Sequence, residues 1–147
     1  MKNKTYLVLF FVFVISFNTY GTKNKNSTKN AKTREIEVLN LEKITDSSSI
    51  HFKESAEACT NWLLDKNKIK TILTNSEAID GHEWHYFYLD LPCYYSGEVM
   101  VDNEKASYSI YAGAVSYLKF SDTIIRLGYK KDDFKKYFIE GRLRPEE

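Results

Sequence analysis

The residues best equipped for chemistry stand together at positions 80–85: Asp80, Gly81, His82, Glu83, Trp84 and His85, with two of the three histidines and two carboxylates. Imidazole nitrogens and carboxylate oxygens are the donor set of a hydrolytic metal site, and the same groups serve as general acid and base. The zinc-protease pattern places its second histidine four positions after the first, on one helical face. Here the gap is three. The aromatic run at 84–89 predicts a strand ending before Pro92, and on a strand His82 and His85 face opposite sides. Metal binding then needs further ligands from Asp90 or His51. The plainer reading is a polar turn that leads into a strand.

Cys59 and Cys93 are the only cysteines. An even count in an exported chain predicts a disulfide between them. The competing reading, Cys93 as a nucleophile with His82 or His85 as base, needs a free thiolate that an oxidising compartment opposes. Ser116 and Lys119 match the S-x-x-K spacing of serine acyl-enzymes, but that chemistry needs both on one helical face, and a strand sends them apart. The chain contains no G-x-S-x-G, no P-loop and no G-x-G-x-x-G, so hydrolase-elbow, nucleotide and dinucleotide readings have no anchor.

Aromatic residues are the other chemical resource. Nine Tyr, five Phe and two Trp fall within 35–147, mostly after Trp84. Tyrosine buries area at little rotamer cost and keeps a polar tip, which suits it to an interface. Trp84, Tyr86 and Tyr88 are expected in line on one strand face, with Tyr94 and Tyr95 in the loop before Gly97. These five are the candidate binding residues. The alternative is that helices cover that face and the rings are ordinary core.

Elements to carry these residues follow from periodicity. Residues 35–38 alternate charge with β-branched side chains, the period of a half-buried strand. Phe52, Ala56, Cys59 and Leu63 recur at helical spacing, so a helix is expected over 52–64. The segment 68–74 fits a second short helix or a strand. Strands are expected at 84–89, 98–101, 107–111, 114–120 and 123–127, with a loop at 102–105 and breaks at Gly113 and Ser121-Asp122. Phe134, Tyr137 and Phe138 suggest a closing helix over 132–139. The expected fold is α+β: an antiparallel β-meander of four to six strands, with an N-terminal-half helix and a C-terminal helix packed on one face.

Ahead of this domain the pattern changes. Residues 1–4 are positive, 7–17 are an apolar run broken only by Ser16, and Thr19 and Gly21 supply a small-residue cut site, the layout of a signal peptide over 1–21. The run is shorter than the roughly 20 apolar residues of a membrane span, so the mature chain is not expected to cross one. Residues 22–34 are basic and almost without apolar side chains, as expected of a disordered linker. This segmentation leaves 35–147 as a single domain with 14 basic and 20 acidic residues. An acidic domain argues against nucleic acid, whose phosphates require a basic face. These observations point to an exported protein, periplasmic or extracellular and bacterial in composition. It is expected to be a non-catalytic, cofactor-free domain that binds another protein, preferably basic, as an inhibitor or immunity protein binds a toxin or hydrolase. Two other readings stand beside it: an envelope metal-dependent hydrolase built on His82, His85 and Asp90, and a glycan-binding module with an aromatic face.

Overall fold

Two residues with left-handed backbone set the frame. Asp102 and Asn103 have φ of 49° and 69°, the geometry of a two-residue hairpin turn. In this computed structural model, which describes residues 34–50 and 52–143, the elements run β1 (Ile36–Val38), β2 (Glu42–Thr45), α1 (Phe52–Asn61), α2 (Lys66–Asn75), β3 (Glu77–Ala78), α3 (Gly81–Phe87), β4 (Cys93–Val101), β5 (Glu104–Tyr111), β6 (Val115–Lys119) and β7 (Ile124–Gly128). A single 3-10 turn, Phe134–Lys136, follows. Residues 1–21, expected to be a signal peptide, nearly all of the expected linker over 22–34, and His51 lie outside the described residues. Among the described residues, no helix is long and apolar enough to cross a membrane.

The fold is α+β. Its seven-stranded antiparallel sheet has the order β1-β4-β5-β6-β7-β3, and β2 also pairs with β4. β1 and β2 therefore share one side of the long strand β4, β1 beside Val99–Val101 and β2 beside Cys93–Ser96. The link between them crosses Gly97, where any Cβ would run into the Asn40 carbonyl. Asn40 holds the crossing: its Oδ1 accepts from Glu98 N (2.9 Å), and its backbone carbonyl accepts from the Tyr108 hydroxyl (2.9 Å).

One sheet face carries the core. Tyr95, Val99, Tyr108, Ile110, Leu118 and Leu127 point to it from four successive strands and are buried against Ile69, Ile72 and Leu73 of α2. Each such side chain contributes about 1.5–3 kcal/mol by leaving water. α1 joins the same layer through the Cys59–Cys93 disulfide, whose Cα atoms are 5.8 Å apart. Trp62, just past α1, meets Tyr95 edge-on at 5.1 Å and donates its indole N–H to the Tyr137 carbonyl (2.7 Å). The ambiguous segment 68–74 is helical because Asp65 caps α2, accepting from Lys68 N at 2.8 Å.

Three expectations are corrected. The aromatic run at 84–89 is not a strand: Asp80 accepts from Glu83 N (2.7 Å), and that cap starts a helix through most of it. Local capping here overrides the β propensity of the rings. Tyr94 and Tyr95 lie within β4 rather than in a loop, because β2 supplies a pairing partner for them. The closing helix is reduced to the 3-10 turn. Ile139 N and Glu140 N both donate to the Ala112 carbonyl (3.0 and 3.2 Å), and these sheet contacts draw the chain out of helical geometry.

Candidate binding cleft

The other sheet face holds a ladder of aromatic side chains. Tyr94 of β4 pairs across the ladder with Tyr111 of β5, and their rings stack at 4.9 Å with 24° between planes. Tyr111 meets Tyr117 of β6 edge-on at 5.8 Å. Tyr117 pairs with Arg126 of β7. The Arg126 guanidinium lies 5.6 Å from the Tyr117 ring and 4.8 Å from the ring of Trp84, which α3 lays on this face. α3 therefore packs on the sheet face opposite to α2, with Trp84 over Arg126 of β7.

Between these rings and the segments 44–49 and 90–92 lies a cleft of about 630 Å³. Trp84, Tyr94, Tyr111 and Tyr117 form its aromatic wall, Ile44, Leu91, Pro92 and Val115 add apolar surface, and Asp46 and Asp90 bring carboxylates to it. Among the described residues, no Lys, Arg or His lines it. Asp46 is fixed by its own turn, accepting from the Ser48 hydroxyl (2.6 Å) and Ser48 N (2.9 Å). Those bonds hold its carboxyl below the usual range. Asp90 is exposed and pairs with no cation among the described residues. The Tyr111 hydroxyl is pushed up by burial first, and then by Tyr94, Tyr117 and the charge of Asp90. The field of Asp90 thus reaches into the ring cluster.

Of the five residues expected to bind, the structure brings Trp84 and Tyr94 together in the cleft. Tyr86 is exposed on α3 and contacts His82 (4.6 Å). Tyr88 is buried with its ring against Gly128, and burial with the nearby Glu83 charge pushes its hydroxyl up to about 12. Tyr95 is core, on the opposite face. Tyr111 and Tyr117 complete the wall and were not singled out as site residues. The signal for Tyr111 is its odd spacing from Tyr108, which places the two on opposite strand faces.

The 80–85 cluster is occupied structurally. Asp80 caps α3, and Glu83 receives Lys130 (2.9 Å) and Arg142 Nε (3.4 Å). His82 and His85 both contact the Tyr86 ring (4.6 and 4.9 Å). Among the described residues, no three His, Cys, Asp or Glu side chains converge as a metal would require. Ser116 is fully buried on the core face, whereas Lys119 is exposed, so the S-x-x-K pair diverges. The disulfide leaves neither Cys59 nor Cys93 as a thiolate. Compared with protein-family models, with curated proteins and with solved structures, the chain finds no match in any of the three.

Proposed function

We propose that this is an exported, non-catalytic protein-binding domain that grips its partner with the cleft on the outer sheet face. An inhibitor or immunity protein directed against a secreted toxin or hydrolase is one instance of that class. The observation that carries the reading is the aromatic wall itself. Trp84, Tyr94, Tyr111 and Tyr117 are half-buried around an open concavity of about 630 Å³; Trp84 and Tyr117 rest against the core, and Tyr94 and Tyr111 stand outside it. Export is supported by the signal-like pattern of residues 1–21 and by the disulfide, which persists in oxidising compartments. The acidic balance of 35–147 favours a basic partner.

The test is affinity capture with the immobilised full chain from the producer's envelope and secreted fractions. A stoichiometric partner is expected to be retained by the parent chain and by Leu63→Ser, which changes an exposed residue that does not line the cleft. Tyr111→Ala and Tyr117→Ala are expected to lose it. Retention by the two tyrosine variants would place binding elsewhere and end this reading.

A further inference from the structure

We infer that the cleft is built to receive a cationic side chain, arginine or lysine, projecting from the partner protein. This rests on the binding reading above and names the chemistry at its centre. Four aromatic rings and two carboxylates meet around the cavity, and among the described residues no basic side chain lines it. The aromatic face attracts a cation through its quadrupole, and a carboxylate at the rim supplies the opposite charge. Asp90 is exposed, has no ion-pair partner among the described residues, and lies close enough for its charge to be felt at the Tyr111 hydroxyl. Asp46, on the same cavity, is already oriented by Ser48.

The same ring cluster already performs this chemistry inside the protein. The Arg126 guanidinium packs on Trp84 at 4.8 Å and Tyr117 at 5.6 Å. Arg126 does not line the cleft. It fills the Trp84–Tyr117 slot and leaves the Tyr94–Tyr111 stack, on the same cleft as the two carboxylates, for a cation from outside. An anionic ligand would face Asp46 and Asp90, and Arg126, the nearby cation among the described residues, is already engaged by Trp84 and Tyr117 and does not line the cleft.

The experiment uses the full chain and three short peptides that differ at one central residue: arginine, its neutral isostere citrulline, and glutamate. Binding is followed by NMR amide shifts and by the fluorescence of Trp84, since Trp62 is buried away from the cleft. The arginine peptide is expected to shift resonances of Tyr94, Tyr111 and Asp90 saturably, and more weakly as salt rises. Asp90→Asn, a change at an exposed position, and Tyr111→Ala should each weaken it about tenfold, while Tyr111→Phe, which keeps the ring, should retain it. Equal binding of the citrulline peptide, or no effect of Asp90→Asn, overturns the inference. Should the captured partner still depend on Tyr111 but not on Asp90 or salt, the binding reading survives and the cation does not. Cleft shifts produced by an oligosaccharide, with none from the arginine peptide, would assign the rings to a glycan. Cleft resonances that move on Lys23→Gln, Lys25→Gln, Lys29→Gln and Lys32→Gln without any peptide would give the cleft to the chain's own basic segment, and the partner role would fall.

Discussion

The tyrosines of the cleft and those of the core differ in the environment of the hydroxyl. Tyr94, Tyr111 and Tyr117 stand half-buried around the cleft, whereas Tyr88, Tyr108 and Tyr129 are buried. Burial pushes the Tyr88 and Tyr108 hydroxyls up to about 12, and Tyr129 is raised by burial and by its hydrogen bond to Asp133 (2.8 Å). In the unfolded chain these phenols ionise near pH 10. The folded state thus keeps protons that the unfolded state releases. The associated stability is complete below about pH 10 and is lost as pH rises towards 12. Urea unfolding measured from pH 8 to 11.5 should show stability falling above pH 10. Tyr88→Phe should flatten that fall, and it should cost little at pH 7 because the Tyr88 hydroxyl has no hydrogen-bond partner among the described residues. An unchanged alkaline slope in Tyr88→Phe would show that its phenol stays accessible.

At the scale of elements, short-range signals were readable where a turn or cap announces itself, and they misled where two of them compete. The alternation at 35–38 suffices for β1, whereas the spacing of Ile69, Ile72 and Leu73 left helix and strand open until the Asp65 cap decided for α2. Asp80-Gly81 was read as a turn into a strand, yet the same aspartate is an N-cap, and a cap followed by seven residues makes a helix. The hairpin turn is two residues, not four. That difference sets the register, pairing Tyr94 with Tyr111 and so building the ring stack of the cleft. β2 was missed altogether, because its pairing with β4 depends on a chain crossing that no local pattern encodes. That crossing requires the bare backbone of Gly97 beneath Asn40. Gly97→Ala is expected to destabilise the domain by about 1–3 kcal/mol, since the neighbouring atom is backbone and yields little. Urea denaturation measures this, and a loss below about 0.5 kcal/mol would mean that the link between β1 and β2 moves freely.

For the molecule as a whole, the disulfide is the one covalent tie between a helix and the sheet. It joins α1 to the first residue of β4 across 34 positions, and α1 otherwise buries only Cys59. Closing a loop of that length is worth about 3–4 kcal/mol when the unfolded chain is the state it constrains. The Cys59→Ala/Cys93→Ala chain should therefore melt well below the parent, and α1 amides should lose hydrogen-exchange protection before those of β4 and β5. Equal melting temperatures would show that helix packing alone holds α1. The acidic balance of the domain acts at the same scale. On the proposed reading it would steer a basic partner at long range, and the four rings would select what fits.

The sequence by itself determined the α+β class, the pairing of its two cysteines and the segments that make α1, β1 and the later strands of the meander. These depend on residue type, cysteine count and nearest-neighbour periodicity, all of which are local. Only the tertiary structure decided that Tyr95 and Tyr108 are core while Tyr94 and Tyr111 face the cleft. It also decided that Glu83 is held by Lys130 and Arg142, and that Trp84 arrives beside Tyr117 from a separate helix. A strand period of two places alternate residues on opposite faces, but which face is covered depends on where helices from distant parts of the chain come to rest.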